Sequence, residues 1–420
     1  MLRDTRPPSS RFAQTNTSSR ALKKNAGYEH IRIPETREPG IFLLEQEYQE
    51  AYLDLARSKS GILPRPGDEG ISRSKPLPVT GTRTVGTGKE ASAVGWEKNP
   101  ALSLSVKKSS LKEEMPHARR AYDHAVACVR DLMASAAQGN LPGGAAHEAV
   151  QGLVDSLERN IDALLCLPRI RQRDAYMYTH CVNVSVLLAA YALVSGQDRR
   201  EVITYALAGL FHDIGKALLP VSLLNARRTL SITEQTLIMR HPMLGCELLI
   251  TSPELHSEMI IMAALEHHER YDGSGYPKGL AGDAISELGH LAAIADNYDA
   301  LSSRRPYKGA TLPHKTLGVL YQLRQKHFHP EIVENFVRMV GIYPVGSVVE
   351  LKDGYRGVVT ASNYDNPMLP VVTLALDPKG APVPAHVRDL AKEPVSGIAR
   401  CVPTELSGLD HPCRTLGIVL

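Results

Sequence analysis

Cysteine is scarce in this sequence, and the cysteines that it has are scattered. No two of them form a C-x-x-C pair; they are Cys128, Cys166, Cys181, Cys246, Cys401 and Cys413. Disulfide scaffolds of secreted proteins and zinc knuckles need closely and regularly spaced cysteines, so neither class fits. We therefore expect a protein of the reducing cytoplasm that has no structural zinc site.

A strong net charge and long apolar runs are also lacking. The formal net charge is only +3 over 420 residues, which gives little attraction to nucleic acid polymers or anionic membranes. The longest apolar run, Val182–Val194, is interrupted by Asn183 and Ser185 and is too short to span a bilayer. Residues 1–25 have basic side chains but no apolar core, unlike a signal peptide. We expect neither a nucleic acid nor a membrane partner, and we interpret the apolar run as a buried helix.

Changes in composition divide the chain into four parts. Residues 1–30 are polar and basic and predict a disordered tail, and residues 31–108 predict a small, poorly defined domain plus a linker rich in Pro, Gly, Ser and Thr. Residues 109–345 carry successive helical patterns, and residues 346–420 carry β-like patterns. The sequence therefore predicts a mainly α protein with a helical bundle, a small β-hairpin C-terminal extension and a partly disordered N-terminal region.

Local patterns locate one element at each end of this folded part. Ser110 and Glu113 form a capping-box signature before a long apolar stripe at helical spacing, made of Leu111, Met115, Ala118, Tyr122, Ala125, Val129 and Leu132. Such a stripe is typical of a helix that faces the core, and the alternative is the seam of a homodimer. Further along the chain, Asp353 and Gly354 separate two alternating apolar runs, which predicts a β-hairpin.

Histidines and aspartates in the helical part are the candidates for chemistry. Five histidines and two aspartates are spread over successive helical patterns: His180, His212, Asp213, His241, His267, His268 and Asp296. Imidazole and carboxylate together suit Fe, Mn or Zn. Two such ions about 3.5–4 Å apart can clamp the attacking and the leaving oxygen of a phosphoester displacement. The structural alternative is that each His and Asp only satisfies a neighbour in the core.

The pair His212-Asp213 lies in an apolar stretch with helical spacing, "EVITYALAGLFHDIGK". Adjacent helix positions point about 100° apart, so both side chains can reach ions in one cavity from different sides. A carboxylate can bridge two ions, whereas an imidazole terminates one. Lys216 follows His212 by four residues, on the same helix face, and can place an ammonium near a phosphoryl oxygen.

The segments "HDIGK", "RHPMLG", "HHERYDGSGYP", "ADNYDAL" and "RRPYKGA" resemble, in this order, the HD-GYP family, a branch of the HD-domain phosphohydrolases. The resemblance covers roughly residues 150–345. It implies an HD-type helical bundle around a metal centre with two divalent ions, Fe or Mn, and hydrolysis of cyclic di-GMP to pGpG, with GMP as a further product. It also implies that the seven His and Asp residues are metal ligands and that Asp213 is the bridge.

The same resemblance assigns roles to residues around the metals. Lys216 would contact the scissile phosphate or protonate the leaving oxygen, and Tyr276, Arg305 and Lys308 would contact substrate. The glycine-rich loop 272–279 would form the rim where substrate enters. Gly273 and Gly275 would let backbone N–H groups approach phosphate and would permit unusual dihedral angles. A hydroxide that bridges the two metals would attack phosphorus in line with the ribose 3′ oxygen.

One departure from the family concerns the number of ions. A subset with three metals has Glu four residues before the first His, whereas this sequence has Tyr176 there. A tyrosine, with a pKa near about 10, is a poor ligand at neutral pH, so we expect two metals.

Two other functions remain open from sequence. One is a sensor of cyclic di-GMP, or a module that docks diguanylate cyclases (GGDEF proteins), without hydrolysis. The other is a hydrolase of a different cyclic dinucleotide. A homodimer through the leading helix is a further expected partner interaction.

Overall fold

The computed structural model describes residues 108–170, 176–226, 228, 230–303, 311–393, 397–403 and 407–409. The predicted N-terminal tail and nearly all of the predicted N-terminal domain lie outside these residues. The α-helices are α1 (Leu111–Ala136), α2 (Gly144–Arg159), α3 (Ile161–Ile170), α4 (Tyr176–Val194), α5 (Arg199–Phe211), α6 (Val221–Leu224), α7 (Ile232–Ile238), α8 (His241–Ile250), α9 (Glu258–Glu266), α10 (Glu287–Ser302), α11 (Pro313–Gln322) and α12 (Pro330–Val340). Short 3-10 helices occupy Ile214–Leu218 and Gly282–Ala284. The mainly α expectation is therefore confirmed.

Helix α1 begins where the capping signature predicts. The Ser110 side chain accepts a hydrogen bond from the Glu113 backbone N–H, and the Glu113 carboxylate accepts one from the Ser110 N–H. Most of the apolar stripe, including Ala118, Tyr122 and Val129, is buried within this chain. The stripe therefore packs in the core, as the first of the two interpretations predicts.

Helix α4 is the buried helix expected from the apolar run. It begins before that run, so the segment Met177–Val194 is long and apolar enough to cross a membrane, contrary to our expectation about its length. However, 78% of that segment is buried inside the protein. Its apolar character is explained by packing on all sides, mainly against α5 and α10.

Six elements form a closed ring in which neighbours pack together or, for α5 and the 3-10 helix Ile214–Leu218, follow each other along the chain. Helix α4 packs on α5, and the 3-10 helix Ile214–Leu218, which follows α5, packs on α8. Helix α8 packs on α9, α9 on α10, and α10 returns to α4. Residues at the inner ends of these elements therefore meet at one point, although they are distant in sequence.

Two glycines permit the closest approaches in this ring. A Cβ on Gly209 of α5 would lie 2.6 Å from the Cα of Ser185 in α4. A Cβ on Gly215 would lie 2.0 Å from the backbone oxygen of His241. Real Cβ atoms do not tolerate such distances, so any larger residue must push the elements apart.

The predicted β-rich C-terminal part is a five-stranded antiparallel sheet among the described residues. Its strands are β1 (Val348–Leu351), β2 (Arg356–Ala361), β3 (Val371–Leu376), β4 (Pro382–Asp389) and β5 (Ile398–Cys401), in the order β4-β3-β2-β1-β5. The predicted hairpin joins β1 to β2, and Gly354 in its turn has a φ of +86°. Val349, Val359 and Val372 are buried in the same hydrophobic cluster as the helices. The sheet thus shares the core of the bundle.

Replacing Gly209 with alanine tests the close approach of α4 and α5. We expect Gly209→Ala to lower the free energy of unfolding by about 1–3 kcal/mol because the core has no room for the added methyl group. The matched control is Gly152→Ala in α2, where the new Cβ would lie 3.8 Å from the Ala121 side chain, an ordinary contact. The control should gain about 0.5–1 kcal/mol from helix propensity. Urea unfolding measures both, and equal effects in the two variants would contradict the packing argument.

Candidate metal centre

Four of the predicted ligands lie at the ends of ring elements. His212 is the C-cap residue of α5, and Asp213 directly precedes the 3-10 helix. His267 is the C-cap residue of α9, whereas His241 is the first residue of α8. The C-terminal ends of α5 and α9 are the negative ends of their helix dipoles and therefore favour a cation in the space between them.

Asp213 is the centre of this arrangement and only 1% of its surface is exposed. Its Oδ2 lies 3.5 Å from Nε2 of His212 and 3.8 Å from Nε2 of His180. Its Oδ1 lies 3.3 Å from Nε2 of His241 and 3.6 Å from Nε2 of His267. The two carboxylate oxygens therefore face different pairs of imidazoles, which is the arrangement that a bridging ligand needs.

The remaining two predicted ligands complete these two groups. Donor atoms of Asp213, His241, His267 and His268 lie within 4.8 Å of one another, and so do those of His180, His212 and Asp213. Oδ1 of Asp296 lies 3.0 Å from Nε2 of His180, on the side of the second group. The structure thus brings all seven sequence-predicted ligands together as two groups that share Asp213.

Unsatisfied polar atoms indicate that a cation fits here. Nε2 of His212 and Oδ1 of Asp213 are buried and make no hydrogen bond. Nε2 of His241 lies 3.1 Å from Nε2 of His267, and the Nδ1 atoms of both rings point at backbone carbonyls. A ring that donates from Nδ1 has a lone pair on Nε2 when it is neutral, so two lone pairs face each other. A divalent ion resolves this repulsion and the missing hydrogen bonds together.

Backbone carbonyls fix the tautomers of three imidazoles. Nδ1 of His212 donates to the Gly209 carbonyl at 2.8 Å, and Nδ1 of His241 donates to the Ile238 carbonyl at 2.7 Å. Nδ1 of His267 donates to the Ala264 carbonyl at 2.9 Å. Each Nε2 therefore remains available as a ligand atom, since outer hydrogen bonds of this kind orient the metal-binding nitrogen.

The electrostatics of the centre separate two kinds of histidine. Burial lowers the pKa of His212 to about 3, so this ring is neutral at pH 7. Burial also acts against a charged His180, but hydrogen bonds and charges from Asp296 and Asp299 outweigh it and raise the pKa of His180 to about 10. Burial disfavours ionised Asp213, but Lys216 and the surrounding histidines outweigh it and hold the pKa of Asp213 well below its usual range. The centre therefore contains ionised carboxylate together with a proton that an ion must displace.

Lys216 reaches the centre by a different route from the one predicted. The α-helix ends before His212, so Lys216 does not lie one α-helical turn beyond it on a common face. Instead, the 3-10 helix brings Nζ of Lys216 to 2.6 Å from Oδ2 of Asp213. Burial lowers the pKa of Lys216, but the charges of Asp213 and Asp296 outweigh burial and raise it. The ammonium is therefore charged, and the side chain that carries it is 24% exposed.

The predicted rim loop is held against the centre by its own backbone and by Glu269. The Tyr276 ring stacks on His268 with centroids 4.7 Å apart and an interplanar angle of 24°. The Glu269 carboxylate accepts hydrogen bonds from the N–H groups of Lys278 and Leu280 at 2.7 and 3.0 Å. Burial raises the pKa of Tyr276, so its hydroxyl keeps its proton. Tyr276 thus forms a wall of the metal centre.

The glycines of this loop serve two different purposes. Gly273 has a φ of +79°, as expected for a residue with an unusual backbone conformation. Gly275 has no positive φ; instead, a Cβ there would lie 2.5 Å from the Cα of Glu269. The second glycine is thus needed for close packing of the loop, not for an unusual dihedral angle.

Three residues of the sequence interpretation lie outside the part of the chain that the structure describes in full. Arg305 and Lys308, the predicted contacts of guanine or phosphate, are not among the described residues. Tyr176 begins α4, but its side chain is not described, so the predicted count of two ions stays a prediction.

Sequence reasoning missed the residues that support His180. Asp299 Oδ2 accepts a hydrogen bond from Nδ1 of His180 at 2.7 Å, and Asn183 Nδ2 donates to Asp299 Oδ1 at 2.8 Å. The signal was present: Asn183 follows His180 by three residues and Asp299 follows Asp296 by three, so each lies on the same helix face as a ligand.

Comparisons with known proteins match the helical region and, in one relative, most of the chain. A family model described as an HD domain matches residues 164–332. A cyclic di-GMP phosphodiesterase of Pseudomonas aeruginosa is 33% identical over 352 residues, which are 83% of this chain and 79% of that protein. A cyclic di-GMP phosphodiesterase response regulator of Xanthomonas campestris is 38% identical over 43% of this chain and 48% of its own length. A 3′3′-cGAMP-specific phosphodiesterase of Vibrio cholerae is 30% identical over 46% of this chain and 37% of its own length.

Proton release on metal binding tests the state of His180. Because its pKa is about 10 in the metal-free protein, an ion that takes this nitrogen must displace a proton at pH 7. We expect Mn²⁺ affinity to rise with pH up to this pKa and His180→Ala to release about one proton fewer than the unchanged protein. Titration calorimetry in two buffers of different ionisation enthalpy counts the protons. Identical heats in both buffers would contradict the assignment.

Proposed function

Because this chain belongs to the HD-GYP family of metal-dependent phosphodiesterases, we propose that it hydrolyses cyclic di-GMP to pGpG, and pGpG to GMP in a second step. The observation that carries the proposal is the buried Asp213 carboxylate, whose two oxygens face two separate groups of imidazoles. A relative named as a cyclic di-GMP phosphodiesterase, aligned over most of both chains, supports the choice of substrate. We propose a cytoplasmic location, as the few scattered cysteines of the sequence indicate.

We propose two divalent ions, Fe or Mn, with Asp213 as the ligand common to both. His241, His267 and His268 would hold one ion, and His180, His212 and Asp296 would hold the other. When bound, such ions lower the pKa of water and stabilise negative charge on a phosphoryl group. Five imidazoles favour Fe, Mn or Zn over Mg, which prefers oxygen ligands.

The side chains around the metals bind and orient the substrate. Hydrolysis forms a bond from a water oxygen to phosphorus and breaks the bond from phosphorus to the ribose 3′ oxygen, which receives a proton. Lys216 is a charged donor next to Asp213 and would stabilise the phosphoryl oxygens or supply that proton. Tyr276 and His268 together form a flat aromatic wall, which would orient the nucleotide beside the metals. Arg305 and Lys308 remain the proposed contacts of guanine or phosphate.

A hydrolase of another cyclic dinucleotide is the second candidate function. The relative from Vibrio cholerae named as specific for 3′3′-cGAMP favours testing it. Parallel cleavage assays with cyclic di-GMP, 3′3′-cGAMP and cyclic di-AMP separate the two candidates. A non-catalytic sensor is disfavoured, since sensors of this family generally lack ligands and all seven are assembled here.

Loss of the bridging group should abolish hydrolysis. Protein prepared without oxygen and supplied with Fe²⁺ or Mn²⁺ should convert cyclic di-GMP to a linear product, detected by chromatography. The His212→Ala, Asp213→Ala double variant should show no turnover, because it lacks the common ligand and one terminal ligand. The control is His386→Ala on strand β4, an exposed histidine outside the centre. Two bound ions without any product would contradict the proposed substrate, and no bound metal would contradict the proposed centre.

Removing the ammonium of Lys216 should lower turnover without removing the metals. We expect Lys216→Ala to reduce kcat by about 10²–10³-fold, the usual loss when one group that stabilises developing charge is removed. Metal content measured by elemental analysis should stay the same. Lys379→Ala in the β3–β4 turn removes the same charge from an exposed site and should leave kcat unchanged. A normal kcat in Lys216→Ala would contradict a role in hydrolysis. It would show that this lysine only balances the charge of Asp213.

A further inference from the structure

A chain of buried hydrogen bonds connects helix α1 to the metal centre. The Tyr122 hydroxyl donates to Oδ1 of Asn183 at 2.6 Å, and Nδ2 of Asn183 donates to Oδ1 of Asp299 at 2.8 Å. Oδ2 of Asp299 accepts from Nδ1 of His180 at 2.7 Å, and Nε2 of His180 faces Asp213 and Asp296. We name Tyr122, Asn183, Asp299 and His180 the α1 relay.

The direction of each bond in the α1 relay is fixed by the groups that form it. A carboxylate only accepts hydrogen bonds, so Asp299 requires a proton on Nδ1 of His180 and leaves Nε2 as the ligand atom. The same requirement makes Asn183 donate through its NH₂ group, so its oxygen must point the other way. That oxygen is buried against the Tyr122 hydroxyl, which donates to it. A flipped amide would place two acceptors against each other at Asp299.

Burial strengthens the hydrogen bonds of the α1 relay along its whole length. The exposed fractions are 2% for Tyr122, 5% for Asn183, 3% for Asp299 and 4% for His180. Water therefore does not replace a lost partner readily, and each bond polarises the next in a medium of low dielectric. The Ser303 hydroxyl also donates to Oδ1 of Asp299 at 2.8 Å, so this oxygen is satisfied from two sides.

We propose that Asp299 is a positioning residue for the ion on the His180 side and that Tyr122 acts on the same ion through Asn183. Tyr122 lies on α1, outside the segment 164–332 that matches the HD-domain model. The leading helix would therefore be part of the metal centre, not only a support for the bundle. Outer partners of metal-bound histidines typically change metal affinity by about 10–100-fold when they are lost. This proposal rests on the proposed metal centre but not on the proposed substrate.

The test measures Mn²⁺ affinity for each of the two ions in single and double variants. Asp299→Asn should weaken one ion about 10–100-fold, since two donors then meet at the Asn183 amide, and should leave the other ion unchanged. Tyr122→Phe keeps the ring in the core and removes only the hydroxyl, and should weaken the same ion by about 3–10-fold. The double variant should bind no more weakly than Asp299→Asn alone, because both changes interrupt one pathway.

Tyr191→Phe is the matched control for the loss of a buried hydroxyl. Tyr191 lies on α4, the helix that carries His180 and Asn183, and its hydroxyl is hydrogen-bonded to Asn335 instead of the α1 relay. This variant should keep the affinity for both ions. Equal affinities in Tyr122→Phe and Tyr191→Phe, or independent and multiplicative losses in the double variant, would overturn the proposal. Because the readout is metal affinity, failure of the substrate proposal gives a different result from failure of this one.

Discussion

The buried, ionised Asp213 carboxylate is the constraint on which this structure depends. Asp213 lies at the end of α5 with 1% of its surface exposed, and Lys216 is its one charged lysine or arginine partner among the described residues. The other groups around it are imidazoles, which cannot all carry protons at such short distances. Divalent ions fit this requirement because neutral imidazoles can bind them while the carboxylate balances their charge. The need to gather so many imidazoles at one carboxylate in turn explains why the bundle closes into a ring.

The ring depends on close backbone contacts at glycines that are not themselves candidate metal ligands. Gly209 allows α5 to lie on α4, which places His212 opposite His180. Gly215 allows the 3-10 helix to lie on the first turn of α8, which places Asp213 beside His241. Imidazoles tolerate displacements of only a few tenths of an ångström as ligands, since metal–nitrogen distances are nearly fixed. Backbone packing therefore decides the geometry of the centre as much as the ligands do.

The seven candidate ligands could be named from sequence because their motifs match the HD-GYP family in order, and all seven meet in the structure. The end of the helix before His212 was not predicted, since Ala and Leu continue the helical pattern up to Phe211 and a 3-10 turn has no distinct periodicity. Gly275 was assigned to the wrong cause because close packing against Glu269 is a tertiary contact. The β-like character of residues 346–420 was predicted, but the edge strand β4 was not recognised, since it contains Pro and exposed residues and alternates poorly. Local patterns thus identified donors and turns, whereas contacts between distant segments required the fold.

His180 differs from three other histidines of the centre in the hydrogen-bond partner of its Nδ1, and this partner affects metal affinity. Its Nδ1 meets a carboxylate, Asp299, where three other rings meet backbone carbonyls. A carboxylate makes the ring more basic, so it binds a cation more strongly but also holds a proton more strongly in the absence of metal. The two effects oppose each other at neutral pH, and the net affinity is the difference between them. An ion on this side therefore gains a more basic ligand only by displacing the proton that this ligand holds.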